Sequence, residues 1–119
     1  MGIIRIAAPT EEPVTLAEAK AHLRIAATDE DVLIGSLIMA AREYAEARTH
    51  LKLVSQTWRH TRDDLPSSIQ LPYPPLMSIE SVTYVDSAGV RQTVAPTVYE
   101  ADVSEAVGIC RLAYNQTWP

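Results

Sequence analysis

A single cysteine, Cys110, is all the thiol chemistry this 119-residue sequence contains. No internal disulfide can form, and the count fits a reducing compartment. Glycine is nearly as scarce. The four residues are widely scattered, so no glycine-rich loop is present to cradle a phosphate. There is no Gly-x-Ser-x-Gly nucleophile elbow, internal repeat, low-complexity tract or heptad array. The longest apolar stretch, between Val32 and Ala41, is broken by Gly35 and Ser36 and is too short to span a bilayer. Met1–Thr10 carries one arginine and no hydrophobic segment of signal-peptide length, and Ile6 stands where a myristoylation motif needs Ser or Thr. Neither a membrane anchor nor a membrane partner is expected. Basic residues almost vanish from the second half. Residues 63–119 set only Arg91 and Arg111 against seven acids, whereas residues 1–62 hold eight of each sign. The clustered Lys and Arg that a sequence-independent DNA binder needs are missing.

The chain nevertheless has enough apolar character to fold: 47% of its residues, ordinary for a globular protein and too many for a disordered one. A 13.1 kDa chain buries only about two-thirds of its unfolded surface, which leaves room for stabilisation by partner subunits. Residues 1–14 read as an extended arm, because Pro9 and Pro13 forbid a helix through it. Residues 15–50 form a helical part and 51–119 the β part of the same single domain. Thr15-Leu16-Ala17-Glu18 is a capping box that opens a short helix ending near Arg24. Thr28-Asp29-Glu30-Asp31 offers a hydroxyl or carboxylate cap and first-turn acids to a second helix running to about Thr49. On it, Leu33, Leu37, Ala40 and Tyr44 make one apolar stripe, with Ile34, Ile38, Ala41 and Ala45 beside it. That face is wider than one contact needs. It suits either a helix packed in its own domain or one that meets another subunit, and the small residues Gly35, Ser36, Ala40 and Ala41 permit close approach in both cases.

From Lys52 the period falls to two. Val54–Arg62 reads as a strand, Pro66, Pro72, Pro74 and Pro75 as a rigid link, and Ile79–Asp86 with Val90–Val94 as a hairpin turning at Gly89. Val98–Val103 and Gly108–Ala113 are two further strand candidates. The expected fold class is α+β, with a short and a long N-terminal helix followed by an antiparallel β region with a hairpin.

Little of this points to catalysis. Cys110 lies within a strand candidate, where Arg111, the adjacent cation that could favour a thiolate, points to the opposite face. His22, His50 and His60 lack a second ligand at metal-binding spacing, although His60 and Asp63 are three apart. His50 follows a helix, where it can adopt a left-handed conformation. Asp63-Asp64 before Leu65-Pro66 fits a solvated turn, and the Asn115-Gln116-Thr117 sequon has no secretory context. Trp58, Tyr73, Tyr84, Tyr99, Tyr114 and Trp118 suit a core or an interface, since no basic residues interleave them as on a nucleic-acid stacking platform. The residues alone therefore indicate a structural or interaction protein with no catalytic residue, cofactor or metal. The alternatives are a generic oligomeric interaction module and, last, a small enzyme using Cys110 or a His/Asp site.

One run of segments resembles a known family. Glu12-Pro13-Val14-Thr15-Leu16-Ala17-Glu18-Ala19-Lys20-Ala21-His22-Leu23-Arg24 is similar to the opening of the head–tail connector, or adaptor, proteins of long-tailed bacteriophages. Asp29-Glu30-Asp31, Leu33-Ile34 and Ala40-Ala41-Arg42-Glu43-Tyr44 resemble that family's second helix, and Ser55-Gln56-Thr57-Trp58 resembles the start of its strand. Leu71-Pro72-Tyr73-Pro74-Pro75-Leu76 and Val82-Thr83-Tyr84-Val85-Asp86 with Gly89 resemble the following β segment. The likeness runs over about residues 12–118. Relatives usually carry glycine where His50 stands, and they continue past the Trp118-Pro119 equivalent through another strand and one or two helices.

The resemblance implies a virion component of the neck, assembled in the bacterial host cytoplasm. Its partners would be copies of itself in a ring, twelvefold to match a portal, the portal protein, and a stopper or tail-terminator protein. The ring would extend the DNA channel and dock the next head-completion or tail protein. Genomic DNA would pass without specific binding, since an acidic wall repels phosphate. Leu37, Ile38, Ala41, Arg42, Tyr44, Glu46 and Arg48 are the residues expected at the subunit interface, with Arg42, Glu46 and Arg48 setting register.

Overall fold

The computed structural model describes residues 1–119. Two compact units divide the chain, one comprising Ile4–Arg59 and the other Met1–Ile3 with His60–Pro119. The charge imbalance follows the same division. The first unit has seven basic and eight acidic side chains, the second three and seven.

The first unit holds both helices. Helix α1 (Leu16–Leu23) starts on the expected capping box. The Thr15 hydroxyl accepts from the Glu18 amide at 3.1 Å, and the Glu18 carboxylate accepts from the Thr15 amide at 3.3 Å. The helix ends at Arg24 in the left-handed region, whose N–H closes back onto the carbonyls of Lys20 and Ala21. Helix α2 (Asp31–Thr49) starts differently from the expectation. Glu30 is the N-cap and makes no side-chain cap, while Thr28 takes part through its backbone carbonyl, which accepts from the Asp31 amide. The Asp31 carboxylate is committed elsewhere, receiving the Lys20 ammonium at 2.7 Å and so tying α1 to the start of α2. His50 closes α2 at φ 58°, ψ 20°, the left-handed cap the sequence suggested. Ile34 is the buried apolar residue of α2.

Strand β1 (Gly2–Ala7) lies in the arm and pairs with β2 (Thr57–Thr61) as a two-stranded sheet. The remaining strands belong to the acidic unit. A short strand, β3 (Ser68–Gln70), falls inside the stretch expected to be only a proline-rich link. Three residues with one apolar side chain are too few to show a period of two. Hairpin β4 (Thr83–Val85) and β5 (Arg91–Thr93) form where expected, with Tyr84 opposite Gln92 and Gly89 at φ 79°. Asp86 organises its turn, its carboxylate accepting from the amides of Ala88 and Val90 and from the Gln92 side chain, and these bonds hold its pKa below the usual carboxylate value. Strands β6 (Tyr99–Asp102) and β7 (Ile109–Leu112) match the last two candidates and join β3 in an antiparallel sheet of order β3-β7-β6. Ile69 and Ala101 flank Cys110 in register. Ile69, Val94 and Cys110 are this unit's buried apolar residues. Trp118 stacks on Tyr99 and donates to the Pro66 carbonyl at 2.9 Å, fastening the last residues to the sheet.

Candidate functional site

The helical unit carries two features with functional content, one apolar and one ionic. Where α1 packs on α2, an open apolar groove of about 420 Å³ remains. Leu23 of α1, Leu37, Ile38 and Ala41 of α2, Val14 of the arm and Leu53 line it. Helical spacing carries this surface around α2 onto Leu33, Ala40 and Tyr44, all exposed. Leu37 is 58% exposed and Tyr44 67%. A continuous apolar surface of this kind is uncommon on a monomer and marks a contact surface.

Behind the groove sits a chain of charges. Arg42 and Glu46 are each only 4% exposed. The Arg42 Nε donates to Glu12 at 2.6 Å and its Nη1 to Glu46 at 3.1 Å. Glu46 also accepts from the Leu53 amide at 3.0 Å and the Gln56 amide nitrogen at 2.9 Å, with the Lys52 ammonium 3.7 Å away. Lys52 in turn stands over the Trp58 ring, which Arg5 also approaches. The hydrogen bond to Glu12 raises the Arg42 pKa against the opposing effect of burial. For Glu46, burial pushes the pKa up, but the bonds from Leu53 and Gln56 and the charges of Lys52 and Arg42 outweigh it, and the carboxyl lies below its ordinary value. The network thus ties the arm, α2 and the segment after α2 to one another.

Of the residues expected at an interface, Leu37, Ala41, Tyr44 and Arg48 are exposed and Ile38 is half-buried in the groove. Arg42 and Glu46 instead point inward, where intrachain partners satisfy their charges. They pair with each other at i, i+4 within the chain, and Glu12, thirty residues before Arg42, joins them.

The candidate catalytic groups are dispersed. Cys110 is buried in the β3-β7-β6 sheet, and burial pushes its thiol up, away from the reactive thiolate. Arg111 lies on the other face, with Glu100 at 2.6 Å and Asp102 at 3.0 Å. His22 and His50 are exposed and His60 is half-buried. No three His, Cys, Asp or Glu side chains gather as a metal site, and no helix is long and apolar enough to cross a membrane.

His60 carries a consequence for stability. Burial, then the positive charge of Arg62, lowers its pKa from the ordinary 6.5. As pH falls through that value the unfolded chain takes up the proton first, so the folded form loses stability on acidification. Thermal melts between pH 8 and 5.5 should show this decline, and His60→Gln should flatten it. An unaltered slope in the variant would assign the acid sensitivity to other groups.

The fold and the groove acquire a context from comparison with known proteins. A family model for phage gp6-like head-tail connector proteins matches residues 13–87. The chain belongs to this family. The matched range contains α1, α2, β2, β3 and β4, together with all the groove and charge-chain residues except Arg5 and Glu12. Strands β1 and β5–β7 lie outside it. No curated protein and no solved structure matches the chain. Membership makes the protein a phage head–tail connector, a structural component of the neck that interacts with other head or tail proteins.

Proposed function

We propose that this connector assembles as a ring of identical subunits, twelvefold to match a portal, beneath the portal of the capsid. The ring would lengthen the DNA channel and present its far side to a stopper or tail-terminator protein. The observation that carries the reading is the family match across the helices, and the exposed apolar face of α2 supplies a subunit contact. In it Leu37, Ile38, Ala41 and Tyr44 make the apolar contact, and Arg48 adds a charge at its edge. Arg42 and Glu46 contribute indirectly, by holding α2 against the arm. The excess of acid in the second unit suits a channel wall that DNA crosses without capture.

The test is assembly on purified portal protein, viewed by negative-stain electron microscopy. The wild-type chain should decorate portal rings. Leu37→Asp should weaken decoration by about tenfold or more, because it places a charge in an apolar contact. Its circular dichroism should not change, since Leu37 is exposed in the subunit. A wild-type chain that stays monomeric and never decorates portal would overturn the reading.

A further inference from the structure

We propose that β1 is a docking strand, adding its free edge to the free edge of β6 in a second copy of the chain. Six of the seven strands are edge strands, because only β7 is flanked on both sides. Among the six, β1 is the longest and the most apolar. All its residues are exposed, with Ile4 59% and Ile6 51% accessible. Edge strands are usually protected by lysine, proline or a very short length. Gly2–Ala7 has none of these protections, and its one charged side chain is Arg5. A two-stranded sheet is marginal by itself and gains from a further strand.

Charge selects the partner edge. β2 carries Arg59 and His60, β5 carries Arg91, and β3 and β4 carry no charge. β6, with Glu100 and Asp102, is the single acidic edge. Those two carboxylates share one intrachain cation, Arg111, which leaves a net negative charge beside the edge. Arg5 of an incoming β1 would balance it, whereas β1 against β1 would oppose two arginines. The two edges are different elements, so the contact is heterologous and propagates from copy to copy, as ring closure requires. The inference rests on the ring reading above and adds a specific contact to it.

Disulfide trapping tests it. One batch carries Ile4→Cys and a second, isotopically labelled batch carries Ala101→Cys. Both positions are exposed, and both batches carry Cys110→Ala, because a cysteine at position 101 would face Cys110 on β7 and could bridge to it within one chain. Equal amounts are mixed under the portal-assembly conditions, oxidised and weighed by mass spectrometry. The mixed dimer should exceed either homodimer by about tenfold, and adding Arg5→Glu to the first batch should cut its yield by about fivefold. A statistical mixture, or a predominant Ile4→Cys homodimer, would overturn the proposal. Portal rings that form with no such preference would reject the strand contact and leave the ring intact. Absence of any assembly would reject both.

Discussion

Arg42→Ala should unfold the helical unit under conditions in which the wild-type chain is stable. The substitution removes a cation that lies between two carboxylates and leaves Glu46 buried without its partner on the helix. Removing one member of a buried ion pair costs about 3–5 kcal/mol, a large share of what a small domain has. Lys52, 3.7 Å from Glu46, offsets part of the loss, so the lower end of that range is expected. Glu12 is released at the same time, and the arm loses its attachment to α2. Arg42→Lys keeps the charge but cannot reproduce the fork that reaches Glu12 and Glu46 together, and it should fall between the two. Chemical denaturation followed by circular dichroism would measure the series, because the helical signal comes from this unit. Equal stability in all three proteins would show that the network does not hold α2 in place. Acid should act in the same direction. Glu46 titrates below its ordinary value, so the stability it contributes is present above pH 4.5 and is lost as pH falls further.

Gly108→Ala should be the most damaging change in the acidic unit. Gly108 is buried just before β7, and its carbonyl accepts from the Leu71 amide at 2.9 Å. A Cβ there would overlap the Leu76 side chain, including its Cβ, which cannot swing away as a side-chain tip can. Either β7 or the segment carrying Leu76 must shift, and overpacking of this kind costs about 1–3 kcal/mol. The diagnostic is a double-mutant cycle. Leu76→Gly, which removes the obstructing Cβ, should be destabilising alone through lost packing, yet in combination with Gly108→Ala the two costs should fall short of their sum. Strict additivity would mean that the two residues do not share the space.

The outline of the fold was legible because it rests on local chemistry. Thr15 and Glu18 form their cap within one turn, the stripe through Ile34 and Ile38 marks a helix by spacing alone, and Gly89 announces the hairpin. The first-turn acid of α2 is Asp31, as its spacing suggests, but the cap falls on Glu30, whose side chain makes no cap bond, and Thr28 contributes its backbone carbonyl instead of its hydroxyl. The exposure of the apolar stripe on α2 was legible, and the burial of the charges beside it was not. Leu37 and Tyr44 are exposed as a contact surface would need, whereas the fate of Arg42 and Glu46 turned on Glu12, Lys52 and Gln56. None of those three is marked by spacing along α2. Strand β3 escaped for a related reason: Ile69 is buried opposite Cys110, a partner some forty residues further along the chain.

Both helices end on a left-handed residue that is not glycine, Arg24 for α1 and His50 for α2. A side chain in that region costs about 1–2 kcal/mol that glycine would not. At Arg24 the cost is partly returned, because a permanent cation sits at the negative end of the helix dipole, worth about 0.3–1 kcal/mol. His50 has no such permanent charge. The two caps therefore differ in how much improvement they allow. Arg24 is close to a balanced compromise, whereas His50 is a reserve of stability that a single exchange for glycine would release.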